Sequence, residues 1–501
     1  MAVDPRQSAA QVALARARLA AGAPVEALGA VERLAVQSDA DIHVLSVYGD
    51  ALKAVGRLDE AIAASRRAVA VAPASGVAEH NLAAMLGDKQ QFAEAETAAR
   101  RAFGKGLDAP ETWLVLARAL QGQDRFDEAA RSFREVLRRR PDAADAHGDL
   151  AQLIWMRTAD TAAATAPLDQ ALRAHPRDGR LWEKKARILE YAGDMAGAYA
   201  VAVEGLAAGG SNLALEVMAA HLAATADPSR ALDHARRAVA LAPGDPGSLT
   251  ALCMADLALG RADDAAKIAE RLHEQAPVQQ QPLALLAIAW RMMADPRYRQ
   301  LYDYARLVRP SPIDTPPGWS RLDDFLADVA ECLHRRHALR AHPVGQSLRG
   351  GTQTQQRLDQ SDDPVIRALV TAIDGPVRRY VAALGPGDDP LRRRATAGYR
   401  IAGMWSVRLR PNGFHVDHIH PQGWLSSACY LALPAAIDSG REGWIKFGEP
   451  GVATHPRLPA EHYVKPEPGM IVLFPSYMWH GTVPFSGDDT RTSAALDIVP
   501  A

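Results

Sequence analysis

Along the first half of the chain the apolar positions return on a long period. Leu58, Phe92 and Phe126 stand 34 residues apart, and Glu60-Ala61, Glu94-Ala95 and Glu128-Ala129 move in step with them. The segment GRLDEAIAASRRAVAVAP (56–73) returns as DRFDEAARSFREVLRRRP (124–141), GDMAGAYAVAVEGLAAG (193–209) and GRADDAAKIAERLHEQAP (260–277). Ala231 and Ala265 keep the same spacing, each at an equal distance ahead of a proline, Pro243 and Pro277. Small residues at Ala61, Ala95 and Ala129 let two helices approach closely, while larger apolar residues fill the gap to the next pair. The terminal prolines stop the second helix, because the ring removes an amide donor and disfavours helix in the preceding residue. The pattern predicts about seven helical hairpins.

On these residues the segment 8–277 resembles the tetratricopeptide repeats. The resemblance implies a superhelix with a concave groove that holds a protein or peptide, although such an array can also serve only to stiffen or pair the chain. After Pro277 the period is lost. Residues 278–345 still read as helical, around a linker at RPSPIDTPPGW (309–319), where four prolines in eleven residues exclude regular helix. A further helix is expected in DDPVIRALVTAIDGPVRRYVAAL, packed outside whatever sheet follows. From Tyr399 the pattern changes to short apolar runs between Gly and Pro turns: GMWSVRLRP, GWLSSACYLALP, GWIKFGEP, GMIVLFPS and RTSAALDIVP. These predict a small double-stranded barrel of the jelly-roll or cupin kind within 346–501. The expected whole is multidomain: an all-α superhelix, a helical connecting region and a β domain with flanking helices.

Charge and cysteine content narrow the function. Lys plus Arg number 57 against 59 Asp plus Glu, a net charge of −2, so no global field favours nucleic acid. No run approaches the ~18 uninterrupted apolar residues of a membrane span, and no leader pattern precedes the repeats. The cysteines Cys253, Cys332 and Cys429 lack disulfide or zinc spacing, which suits a reducing cytoplasm.

Chemistry concentrates in His415-Val-Asp417-His418-Ile-His420-Pro421. Residues two apart on a strand share a face, so His418 and His420 can reach one point, as can His415 and Asp417, but the pairs face opposite ways. His480, in FPSYMWHG, offers a third ligand. Two neighbouring ligands and one distant histidine make the facial arrangement of non-haem iron sites. Arg491, on the last run, carries a guanidinium fork that matches a carboxylate.

Four motifs in order resemble the Fe(II)/2-oxoglutarate oxygenases of a bacterial and phage group: His418-x-His420-Pro421, then Ser426 or Ser427 through Tyr430-Leu431, then Leu473 to Ser476 with His480, then Arg491. The same stretch is similar to the aspartyl/asparaginyl β-hydroxylases, which also join repeats to an oxygenase. The resemblance implies a double-stranded β-helix with Fe(II) on His418, His420 and His480, with His415 and Asp417 as the alternative pair. It implies 2-oxoglutarate held by Arg491 with Ser427 and Tyr430, O2 as oxidant, and ascorbate as an auxiliary reductant. Two other readings stay open: a three-histidine cupin metalloenzyme that does not use 2-oxoglutarate, and a repeat-based interaction protein with a vestigial barrel.

Overall fold

The computed structural model describes residues 5–501. It forms two compact units, one reaching Leu150 and a second at Ala151–Ala501. No described helix is long and apolar enough to cross a membrane.

In the first unit helices pack in consecutive pairs, including Ile42–Ala54 with Leu58–Val71, Gly76–Asp88 with Phe92–Gly104, and Pro110–Gly122 with Phe126–Arg139. Ala61, Ala95 and Ala129 are wholly buried, as the close-approach argument requires. The turn inside each pair is equally regular. Gly22, Gly56, Gln90 and Asp124 recur at the repeat spacing and all take a left-handed backbone, with φ of 73°, 81°, 61° and 60°. The preceding helix ends there because that conformation closes its last carbonyls, a position glycine fills without strain.

The second unit continues the pattern with the pairs Gly179–Ala192 and Met195–Gly209, Leu213–Ala223 and Pro228–Leu241, and Pro246–Ala258 and Ala262–Gln275. Beyond Pro277, helix Gln280–Met292 packs on Ala262–Gln275 as the earlier helices do. Ala294 repeats the left-handed turn one repeat length after Gly260. Repeat geometry therefore outlasts repeat sequence, because this helix is covered by the β domain and not by another hairpin.

Among the described residues nine strands follow: β1 Arg309–Pro312, β2 Leu348–Gln353, β3 Tyr399–His415, β4 Leu425–Ala432, β5 Ile445–Phe447, β6 His462–Val464, β7 Met470–Pro475, β8 His480–Thr482 and β9 Arg491–Pro500. They form a six-stranded antiparallel sheet in the order β1-β7-β4-β9-β3-β2 and a three-stranded sheet β6-β5-β8. Phe447 and Phe474 meet edge to face between the two, ring centroids 5.0 Å apart. The proline-rich 309–319 stretch, expected as linker, opens with β1. Its prolines are tolerated because β1 is an edge strand, where a missing amide donor breaks no ladder.

Alternation divides the large sheet. Cys429, Leu431, Ile471, Leu473, Leu496 and Ile498 share one buried core with Phe325, Val329, Leu369 and Ile373 of helices Leu322–His334 and Pro364–Leu384. The expected outer helix is thus present, joined by a second. The opposite face carries the candidate site. Beside it the last repeats contact the β domain directly: Trp479 Nε1 donates to Ala284 O at 3.2 Å, Gln280 N to Pro421 O at 2.8 Å, and His455 N to Leu257 O at 3.1 Å.

Candidate metal centre

β3 ends at His415, and the chain then crosses the mouth of the sheets. His418 and β8 exchange a reciprocal backbone pair, His418 N to His480 O at 2.9 Å and His480 N to His418 O at 3.0 Å, while His420 N donates to Ser476 O at 3.0 Å. This zipper brings together side chains sixty residues apart. One ring nitrogen each of His418, His420 and His480 falls within 4.8 Å of the others, and the Nε2 atoms of His418 and His420 are 3.2 Å apart.

The other nitrogen of every ring is tied down. Nδ1 lies 2.8 Å from Val416 O in His418, 2.9 Å from Met478 O in His480, and 2.6 Å from Asp497 Oδ1 in His420. A carbonyl only accepts, so in His418 and His480 Nδ1 carries a proton and the neutral ring keeps its lone pair on Nε2, the tautomer of a metal-ligating histidine. Burial drives the pKa of His480 well below its ordinary value and takes His418 down to about 3, so both are neutral donors at pH 7. Phe474 packs edge-on against His480 at 4.5 Å, and Trp405 stacks on His420 at 6.0 Å. Three imidazole nitrogens gathered on one side of a point would leave the remaining positions of a metal open.

Arg491 is 2 % exposed and lies over the Tyr430 ring, 4.9 Å from its centroid. The Arg491 Nε and the Tyr430 hydroxyl are both buried without a hydrogen-bond partner. Leaving such donors unmet costs about 1–3 kcal/mol each, more when one is charged. The two groups neighbour one another, and two buried donors side by side suit an anion. Burial lowers the Arg491 pKa and pushes Tyr430 up to about 12, which keeps the phenol a donor.

Ser427, expected in the same cradle, is placed elsewhere. Alternation sends its side chain to the other face of β4 from Tyr430. Its hydroxyl donates to Leu496 O at 3.2 Å and accepts from Leu496 N at 3.1 Å. The pair His415 and Asp417 also parts. His415 stays near the centre, its Nδ1 2.9 Å from Ser347 Oγ, which is 3.2 Å from His418 Nε2. Asp417 turns to Lys446, 2.8 Å away, and Lys446 also binds Glu449 at 2.5 Å. The expected alternation failed because the strand stops at His415, before it could govern Asp417.

Sequence reasoning missed Asp497 and Ser347, and left Ser426 and Ser427 as alternatives of which Ser426 is the one on the site's face. Asp497 had a signal: it lies six residues past Arg491 on β9, an even number, and so on the same face. Ser347 had none, being delivered by the β2–β3 register that sets Leu348 opposite His415.

Residues 403–497 match a family model described as "Putative 2OG-Fe(II) oxygenase", and residues 114–179 match a tetratricopeptide repeat model. No curated protein matches the chain. Among solved structures it is similar to MamA, residues 41 to the end, from Desulfovibrio magneticus RS-1, at 17% identity over 35% of this chain and 99% of that one, with TM-score 0.31. A tetratricopeptide repeat protein from Parabacteroides merdae matches at 14% identity over 49% of this chain and 98% of its own, with TM-score 0.36. The pilF protein of Pseudomonas aeruginosa matches at 18% identity over 41% and 94%, with TM-score 0.31.

Proposed function

We propose that this chain, which joins tetratricopeptide repeats to a domain matching the 2OG-Fe(II) oxygenases, is an Fe(II)/2-oxoglutarate-dependent dioxygenase that hydroxylates a protein or peptide recruited by the repeats. One observation carries the reading: three imidazole nitrogens converge on the face of the large sheet that also carries two buried donors without a hydrogen-bond partner, Arg491 Nε and the Tyr430 hydroxyl. His418, His420 and His480 would hold the metal. The Arg491 fork and the Tyr430 hydroxyl would hold the distal carboxylate of the co-substrate, a charge-assisted contact strengthened by burial. Fe(II), 2-oxoglutarate and O2 bound there supply a two-electron oxidation that yields succinate and carbon dioxide and leaves one oxygen atom on the substrate, with ascorbate keeping the metal ferrous.

The residues of the chain set the conditions. Phe447 and Phe474 pack on the buried His480 ring, and Trp405 stacks on the half-buried His420. The three Nδ1 bonds fix the rings, so the ligand set is pre-formed and little ordering remains to be done on binding. We keep the division into repeats (8–277), connecting region (278–345) and oxygenase domain (346–501). The connecting region belongs functionally with the oxygenase, since its helix at 280–292 and β1 pack into the same core. Three buried free cysteines fit a cytoplasmic setting. The all-histidine ligand set favours one second reading, a cupin-type metalloenzyme that ignores 2-oxoglutarate.

The test is succinate release from 2-oxoglutarate by purified protein with Fe(II) and ascorbate, with peptides captured on the repeats added as substrates. Turnover that is lost in His480→Ala supports the proposal. Metal-dependent activity indifferent to 2-oxoglutarate selects the second reading, and a wild type that binds neither Fe(II) nor 2-oxoglutarate overturns both.

A further inference from the structure

We propose that Asp497 is a positioning residue of the metal centre and supplies, through His420, the negative charge that an all-imidazole ligand set lacks. This rests on the oxygenase reading above. His418 and His480 direct Nδ1 to neutral carbonyls, whereas His420 directs it to a carboxylate at 2.6 Å. Of the groups hydrogen-bonded to the three rings among the described residues, Asp497 is the one that bears a formal charge.

The carboxylate is itself held. Its Oδ1 accepts from Ser426 Oγ at 3.0 Å, and Ser426 Oγ is 2.8 Å from Ser476 Oγ. Ser476 also receives the backbone N–H of His420 through its carbonyl. The β4–β9 register sets Ser426 opposite Asp497, so ring, carboxylate and both serines form one closed set. A carboxylate bound to the distal nitrogen of a ligand imidazole fixes the ring and raises its basicity. It also lowers the net positive charge of a site built from three neutral donors. Arg491 and Asp497 lie on one face of β9, so a single strand offers a cation toward the co-substrate and an anion toward the metal's ligand.

The experiment measures Co(II) binding to the full-length apoprotein, then azide binding to the Co(II) form, in wild type, Asp497→Asn and His480→Ala. Asparagine keeps an acceptor oxygen for the ring and removes the charge. Asp497→Asn should weaken Co(II) by about 10–100-fold and bind azide more tightly, since the centre becomes more positive. A merely structural role weakens both together. His420→Asp places a carboxylate on the metal itself, and in that background Asp497→Asn should change Co(II) affinity by less than about threefold. This cycle reads the charge even if Asp497→Asn alone folds poorly. Asp497→Asn within about threefold of wild type for Co(II), or azide affinity falling with metal affinity, overturns the proposal. Wild type that binds Co(II) no better than His480→Ala overturns the oxygenase reading with it; dependence on His480 but not on Asp497 overturns this proposal alone.

Discussion

The repeats and the sheets of this molecule hold their polar and strained features in opposite ways. In the repeats one solution is copied: a left-handed turn once per repeat, and the same ion pair at Arg57–Glu60 and Arg125–Glu128, each three residues apart in sequence. In the β domain each important contact occurs once and spans a long stretch of chain, 77 residues for His420–Asp497 and 68 for Ser347–His415. Copied local features tolerate exceptions. The turn that takes glycine at Gly56 accepts Gln90 and Asp124. A site assembled from distant segments has no second copy to absorb an error, and so concentrates its vulnerability in few residues.

The largest effect should come from the singular region. Arg491→Gln removes a charge-assisted fork worth about 3 kcal/mol, and is expected to raise the KM for 2-oxoglutarate about 100-fold with the repeat helices intact. Succinate release against co-substrate concentration reads it, and a KM within about threefold of wild type breaks the comparison where it is sharpest.

A smaller effect concerns His337, whose Nδ1 meets Thr352 Oγ1 at 2.9 Å and Nε2 meets Ser406 Oγ at 3.1 Å, tying the β2–β3 edge to helix Leu322–His334. Burial takes its pKa down from 6.5 to about 4. The unfolded chain therefore binds the proton first as pH falls, so stability present at pH 7 is lost between 6.5 and 4, about 2 kcal/mol of it by pH 5. In His337→Gln the fall in melting temperature between pH 7 and pH 5 should be shallower. His342, shifted the same way, leaves part of the slope in place. An unchanged slope would show that His337 is not the group the acid reaches.

The smallest effect tests the repeats. Ala159 takes φ 57°, a backbone that costs an alanine about 1–2 kcal/mol. Ala159→Gly should relieve that strain and, after the entropy of glycine is set against it, stabilise by about 0.5–1 kcal/mol. Urea unfolding measures it. A loss of stability would mean that the copied turn is not locally determined.

The repeats were legible because period, small residues and prolines all report one local geometry, and the structure adds the turn position, visible in sequence only where it is glycine. The strands of the β domain were legible as apolar runs, and the histidine cluster through its spacing with His480. What sequence could not supply is where a strand stops. Alternation extended past His415 grouped it with Asp417, yet the backbone leaves the sheet there and the two side chains find different partners. Proline content marked 309–319 as irregular, but an edge position in a sheet satisfies the same constraint. Ser427 failed for the reverse reason: alternation was applicable and would have separated it from Tyr430.

Helix Gln280–Met292 has its Leu283, Ala284, Leu286 and Ile288 buried, and Ala284 O receives the indole N–H of Trp479, a residue 195 positions later. At a synthesis rate of about 5–20 residues per second, that partner leaves the ribosome roughly 10–40 s after the helix does. For that interval the nascent chain presents a finished apolar platform with nothing on it. N-to-C order of emergence thus gives the β domain a template to fold against, and it makes the half-synthesised chain the form most in need of a chaperone.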